Sequence, residues 1–354
     1  MTKYLVTGAA GFIGANYVHH LLQQEADTDV IAVDYLGFAA NEANLDAVMD
    51  RIVFHKVDIS DFEAMAALYR RHRPDYVINF AAESHNDRAI LGPSEFMRSN
   101  ALGAQVMLEC SRLYPVKSHV HVSTIEVYGE LPAERPYFTE RSPLNAKTPY
   151  SAAKAAGDQM VRAYMSTYPN MNIRLTHCAN NYGPFQHPEK LIPLAIAKVL
   201  RGRKVPLYGD GLQSRDWLHV ADHCNAVHRV LLAELDPIHP DAATDPGRLP
   251  IFDISSRNEV TNQEIVHGII TALGRHPEEW IEYIPDRPNH DRRYVIEPTK
   301  IETELGWYPT RDFRSTLRQT VEWYVDNRDW WERIISKTGE PGFDWSQPLG
   351  STAV

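Results

Sequence analysis

A short β-rich run, Tyr4–Thr7, leads straight into three glycines, Gly8, Gly11 and Gly14, and then into an amphipathic stretch, Phe12–Gln24. No other feature of the chain narrows its fold as much. Between a strand and a helix, one glycine makes the turn, a second lets backbone approach a diphosphate, and a third permits close helix–strand packing. The helix then offers free N–H groups and a partial positive charge to that diphosphate. A glycine triplet alone also describes a plain tight turn, so the surrounding pattern has to decide. Buried strands are expected at Tyr4–Thr7, Val30–Asp34, Ile52–Val57, Tyr76–Phe80, His119–Ser123 and Asn172–Thr176. Helices are expected at Phe12–Gln24, Phe62–His72, Glu95–Tyr114 and Tyr150–Tyr168. Such alternation demands right-handed crossovers and a parallel sheet covered on both faces. The expected class is α/β, a doubly wound parallel sheet whose ligand sits beyond the carboxyl ends of the strands.

With this context the triplet reads as a dinucleotide site, formed by Gly8, Gly11, Phe12, Ile13 and Gly14. Asp34 ends the second strand about 20 positions after Gly14, where a carboxylate can accept both ribose hydroxyls. It would repel a 2′-phosphate, so the expected cofactor is NAD rather than NADP. Asp58 and Ile59, after the third strand, are expected beside the adenine. The alternative for Asp58 is a cap for the helix that starts near Asp61.

Tyr150 and Lys154 sit at i and i+4 on one face of a helix. A phenol with a pKa of about 10 is a poor base at neutral pH. A neighbouring ammonium and a cationic nicotinamide ring would favour the phenolate. YxxxK alone is common as a surface pair. After a glycine triplet and five strands it is the expected proton acceptor for alcohol oxidation.

The ordered segments Phe80-Ala81-Ala82-Glu83-Ser84-His85 and Ser123-Thr124-Ile125-Glu126-Val127-Tyr128-Gly129 extend the pattern. Asn180-Asn181-Tyr182-Gly183-Pro184, Pro188-Glu189-Lys190-Leu191-Ile192-Pro193, Arg215-Asp216-Trp217 and Asp286-Arg287-Pro288-Asn289-His290-Asp291 follow. With these motifs, from Gly8 to about Trp331, the chain resembles the extended short-chain dehydrogenase/reductase family, and within it the nucleotide-sugar 4,6-dehydratases of the dTDP-glucose type. The resemblance implies a Rossmann-type domain, a smaller C-terminal substrate-binding lobe, NAD, and a nucleotide-diphosphate hexose as substrate. It implies that Tyr150 takes the C4 hydroxyl proton as hydride leaves C4. Glu126 then takes the C5 proton, water leaves from C6, and the hydride returns to C6. Thr124 would bond the C4 oxygen, and Ser84 would position the sugar. Ala81, Ala82, Ser123 and Asn181 would join the cofactor site. Asn180, Lys190, Leu191, Pro206, Leu207, Tyr208, Arg215, Asn258, Asp286, Arg287 and His290 would hold the nucleotide diphosphate. A guanidinium fork such as Arg215 suits phosphate oxygens; its other reading is an ion pair with Asp216 or another carboxylate. The family likeness also implies a homodimer through a four-helix contact of Glu95–Tyr114 and Tyr150–Tyr168.

One position departs from the family. The dTDP-glucose enzymes carry an aspartic acid just before the glutamate, to protonate the leaving C6 hydroxyl, and here that place is Ile125. Losing a general acid costs about 10²–10⁴ in rate. Three readings stay open: Glu126 itself passes its proton to the leaving oxygen; the chemistry diverges after C4 oxidation, as in a 4-epimerase, a C4 oxidase or an altered dehydratase; or the chain binds NAD and a nucleotide sugar without chemistry. Glu126 favours dehydration, because a C4 epimerase needs no base aimed at C5.

A net charge of −10 argues against a broad nucleic-acid or anionic-membrane surface. No apolar run approaches the roughly 18 residues of a membrane span, and Met1–Val6 is too short for a signal h-region. Cys110, Cys178 and Cys224 form no metal or disulfide pattern and read as reduced core residues of a cytoplasmic protein. His85, His187 and His290 fall in site-like segments, but none of the three stands in an HxH or HExxH spacing, so no metal is expected there. His85 and His187 read as structural polar residues, and Trp323-Tyr324 and Trp330-Trp331 as helix packing. The expected organisation is a Rossmann domain over 1–180 with returning elements at about 215–255. A nucleotide-sugar lobe is expected over 181–214 and 256–340, with a surface loop at Asp236–Pro250 and a loosely packed tail over 341–354.

Overall fold

A computed structural model describes residues 1–25, 27–235 and 245–339. Most of the Asp236–Pro250 loop (236–244) and the tail over 341–354 lie outside the described residues. The first half alternates as its periodicity requires: β1 (Thr2–Thr7), α1 (Phe12–Gln24), β2 (Thr28–Asp34), β3 (Ile52–Lys56), α2 (Phe62–His72) and β4 (Tyr76–Asn79). Then come α3 (Asn86–Leu91), α4 (Pro93–Phe96), a π-helical turn (Met97–Leu102), α5 (Gly103–Leu113), β5 (Ser118–Thr124), α6 (Pro149–Thr167) and β6 (Ile173–Cys178).

Seven strands form one parallel sheet in the order β10-β6-β5-β4-β1-β2-β3, where β10 is Ile251–Ile254. The chain order reverses beside β1, between β2 and β4, and that is where a doubly wound sheet opens its ligand crevice. Both faces are apolar. One packs α1 and α8 (Val220–Leu232) through Tyr17, Val18, Leu21, Val227 and Val230, and the other packs α2 and α5 through Met65, Tyr69, Val106 and Met107.

The stretch expected as one helix over Glu95–Tyr114 is interrupted by the π turn. Inside that turn the Asn100 amide bonds the Glu83 backbone twice, accepting from its N–H and donating to its C=O, each at 2.9 Å. A widened turn of this kind spends one residue to re-aim a side chain. Apolar periodicity cannot report it, because the partner lies on another segment.

The second lobe uses β7 (Asn180–Tyr182), α7 (Leu191–Leu200), β8 (Val205–Tyr208) and β9 (Ser214–His219). It continues with β11 (Glu259–Thr261), α9 (Asn262–Ala272), α10 (Pro277–Trp280), β12 (Ile281–Ile284), β13 (Arg293–Tyr294), α11 (Thr299–Leu305), α12 (Phe313–Asp326) and α13 (Arg328–Thr338). Of the span expected to return at 215–255, α8 and β10 pack with the main sheet. Strand β9 instead pairs with β7, β11 and β13 in a separate small sheet. Tyr324 and Trp331 are buried in this lobe's core and Trp323 and Trp330 pack at its edge, the helix-packing role expected of them. No described helix is long and apolar enough to cross a membrane.

Candidate active site

Gly8 has φ +65°, and a Cβ on it would meet Ala81 N at 2.7 Å. A Cβ on Gly14 would lie 2.0 Å from Gly8 O. Both contacts are backbone, so no side chain can yield. Helix α1 begins at Gly11 with no side-chain cap and no acid in its first turn, which leaves its leading N–H groups open to an anion. Asp34 is buried at the end of β2. Its carboxylate accepts from Ala10 N at 3.0 Å and Leu36 N at 2.8 Å, and burial pushes its pKa up.

A cleft along the carboxyl ends of the sheet is lined by Gly8, Gly11, Phe12, Ile13 and Gly14, by Asp34, Asp58 and Ile59, and by Ala81 and Ala82. Ser123, Thr124, Tyr150, Lys154 and Asn181 complete the far end of this first chamber. Every residue expected at the cofactor therefore faces one cavity. Asp58 is not a helix cap: Asp61 caps α2 through Ala64 N at 3.0 Å, while Asp58 accepts from Ser60 and pairs with Arg98 at 2.8 Å. Two buried wall atoms, Ser123 Oγ and Asn181 Oδ1, have no hydrogen-bond partner among the described residues. Buried polar atoms seldom stay unpaired, so these two are available to a bound group.

A second chamber is lined by Leu191, Pro206, Leu207, Tyr208, Arg215, Arg287 and His290. Ser84, Glu126, Asn180, Glu189 and Lys190 line both chambers, so Glu126 stands at their junction. The Arg215 guanidinium donates to the carbonyls of Ser214, Asp291 and Arg292 and stacks 4.0 Å over the Tyr294 ring. It is not paired with Asp216, whose buried carboxylate accepts from Ser255, Ser256 and Asn258 N. Arg287 pairs with Asp87 at 3.2 Å.

Two residues expected at the nucleotide stand off the chamber walls. Asn258 turns its amide to Ser256 Oγ at 3.1 Å. Asp286 accepts from Gln213 at 2.8 Å and contacts His290 Nδ1 at 2.6 Å, so it orients His290 rather than facing the cavity itself. The reverse holds for two histidines read as structural: His85 lines the second chamber while capping α3, and His187 lines the first. Sequence reasoning passed over Asn86, Asp87, Glu189 and Tyr294. Glu189 lay within a quoted motif, yet nothing in its spacing told that burial would push its pKa up to about 7.

Around the expected base, Thr148 caps α6 by accepting from Ser151 N, with Pro149 in the first turn, and this sets where Tyr150 emerges. Burial, then the Glu126 carboxylate, pushes the Tyr150 phenol well above its ordinary value, while the Thr124 hydroxyl pulls the other way. The lowering expected from Lys154 is not the outcome within the protein alone. The Lys154 ammonium donates to Val122 O at 2.8 Å, and burial pushes its own pKa down. Ile125 is buried in an apolar cluster with Val127, Tyr128 and Phe138, and it also lines the first chamber.

Residues 5–320 match the GDP-mannose 4,6 dehydratase family. The chain belongs to that family. It is similar to the dTDP-glucose 4,6-dehydratase of Neisseria meningitidis serogroup B, 40% identical over 95% of this chain and 97% of the relative. Among solved structures it resembles the dTDP-glucose 4,6-dehydratase of Streptomyces venezuelae determined with NAD, with TM-score 0.86, 42% identity, and 94% and 100% of the two chains covered. It resembles the UDP-glucose 4-epimerase of Thermotoga maritima less closely in sequence, at 27% identity with TM-score 0.82 over 92% and 100% of the chains. The Rossmann-type fold expected from the sequence is the fold of this family.

Proposed function

We propose that the chain is an NAD-dependent nucleotide-sugar 4,6-dehydratase acting on a hexose such as dTDP-glucose. The observation that carries this reading is Glu126, a carboxylate at the junction of a dinucleotide chamber holding Tyr150 and Thr124 and a second chamber holding Arg215 and Arg287. The residues fit NAD: a glycine cradle that a Cβ would fill, an uncapped helix start, a carboxylate at the second strand end, and unpaired polar atoms on Ser123 and Asn181. When bound, NAD would supply the acceptor for the C4 hydride and the source of the hydride delivered to C6, with a solvent-derived proton completing C5.

The chain's own residues do the rest. Thr124 bonds the C4 oxygen, and Tyr150 takes the C4 hydroxyl proton. Because the phenol is held high by burial, it depends on a cation bound beside it to become a base near neutrality. The C4 ketone acidifies C5–H, and Glu126 takes that proton. Ile125 has none to give, so the Glu126 carboxyl hands its proton to the departing C6 oxygen. Arg215, Arg287 and Lys190 hold the diphosphate. A homodimer and a cytoplasmic location belong to the same reading. Exposed Met97, Leu102 and Leu113 on the interrupted helix support the first, and three free cysteines support the second.

Mixing the protein with NAD and dTDP-glucose in heavy water is expected to give a new C6 methyl signal and deuterium at C5 by NMR. A product that keeps its C6 hydroxymethyl and inverts only at C4 makes the enzyme an epimerase. Absence of isotope exchange at C4 and C5 with any nucleotide hexose makes it a binding protein.

A further inference from the structure

Glu126 does not stand alone at the junction of the chambers. Its Oε2 accepts from the Asn86 amide, Nδ2, at 2.8 Å. Asn86 is buried at the start of α3 and lies 40 residues from Glu126 in the chain. Its Oδ1 accepts from the Thr148 hydroxyl at 2.9 Å. Thr148 is the cap of the helix that carries Tyr150, and its oxygen already accepts from Ser151 N at 3.2 Å. The same hydroxyl also lies 3.0 Å from Ser151 Oγ, so the orientation is set from the other end: the Glu126 carboxylate can only accept, and Asn86 therefore presents Nδ2 to it and Oδ1 to the Thr148 hydroxyl. The amide is thereby oriented, oxygen toward Thr148 and nitrogen toward Glu126. Turned over, it would set its oxygen against a carboxylate.

We infer that Asn86 is a positioning residue that makes a single carboxyl, Glu126, serve as both base and acid in the elimination, an inference that rests on the dehydratase reading. An amide N–H donates and cannot accept, so Oε2 stays an acceptor through the cycle and the C5 proton goes to Oε1. The C5–H bond breaks and its pair forms the C5–C6 double bond. The C6–O bond breaks with its pair leaving on oxygen, and the proton on Oε1 passes to that oxygen as water departs. Glu126 ends as the carboxylate it began as, so no second acid is consumed. The same amide also bonds Thr148, the cap of the Tyr150 helix. At Ile125, beside Glu126, an apolar side chain can then be accommodated.

The test separates oxidation from elimination. In Asn86→Leu, of similar volume but with no donor, the nicotinamide absorbance burst that reports C4 oxidation keeps its rate. Formation of the 4-keto-6-deoxy product then slows by about 10–100-fold, the loss expected for a hydrogen bond to a charged group. KM is little changed. In Asn86→Asp an ionised carboxylate opposes Glu126, whereas a protonated one donates as the amide does. Its activity relative to the wild type at the same pH therefore rises from about pH 8 to about pH 5.5. A structural role alone would not produce that rise. Asn86→Leu turnover equal to wild type, equal losses of oxidation and elimination, or a flat Asn86→Asp ratio overturns the inference. A wild-type enzyme that forms no 4-keto-6-deoxy sugar overturns the dehydratase reading together with it, whereas product formation unaffected by Asn86→Leu overturns only the role of Asn86.

Discussion

His177, on β6, is a fully buried imidazole between two carboxylates, Asp158 of the Tyr150 helix at 3.1 Å and Asp253 of the edge strand β10 at 3.0 Å. Tyr128 reaches His177 at 2.9 Å and Asp253 at 3.0 Å, and Glu140 accepts from Asp253 N at 3.0 Å. Lys154 and His121 face Asp158 from the active-site side. The second oxygens, Asp158 Oδ1 and Asp253 Oδ2, have no hydrogen-bond partner among the described residues, so the imidazolium is the main compensation for the pair. Burial works against its charge, but the bonds to the two carboxylates outweigh it and push the pKa from 6.5 up to about 9. That difference is worth about 3 kcal/mol. Because the folded value is the higher one, the contribution is fully present below about pH 6.5 and is lost as pH rises through about 9. In His177→Gln the compensating charge is gone at every pH. Unfolding entropy for 354 residues is about 0.7 kcal/mol per kelvin, so the variant should melt about 4 °C below wild type at about pH 6. The gap should close by about pH 10. Scanning calorimetry of both proteins across that range is the assay. A gap that stays constant with pH, or that widens, refutes the argument that His177 carries the charge.

Gly14→Ala forces a Cβ to 2.0 Å from Gly8 O, so the turn has to open; stability should fall by about 1–3 kcal/mol and NAD affinity should drop with it, read by denaturant titration and cofactor fluorescence. Tyr150→Phe should lower kcat by about 10²–10⁴ while NAD and nucleotide binding persist, measured by steady-state kinetics and calorimetric titration. Asp34→Asn should weaken NAD by about tenfold and bring NADP closer to it, because the carboxylate proposed to accept the ribose hydroxyls and repel a 2′-phosphate is neutralised; paired titrations with the two cofactors decide it.

Local elements were legible where local forces make them. Helices α1 and α2 span the residues their apolar period marks, and Asp61 caps α2 from the adjacent position. The π turn was not legible, because the bonds that accompany it join Asn100 to Glu83 on another segment. Within the cleft, Gly8, Gly14 and Asp34 could be read from spacing, since one strand–helix–strand unit, β1–α1–β2, makes their geometry. The second chamber could not: Asn258 and Asp286 resemble ligand residues in order along the chain, but the fold turns one to Ser256 and the other to His290 and Gln213.

By itself, then, the order of residues determined the doubly wound sheet, the glycine cradle at its first crossover and the residue types available for proton transfer, because periodicity, turn chemistry and short-range spacing act over a few neighbours. Only the tertiary structure decided that Glu126 meets Asn86, that Lys154 faces Val122 O, and that the Tyr150 phenol is held high. Those outcomes depend on burial and on partners far apart in the chain. Desolvation and hydrogen bonding at a site belong to the packed molecule, and no spacing rule carries them.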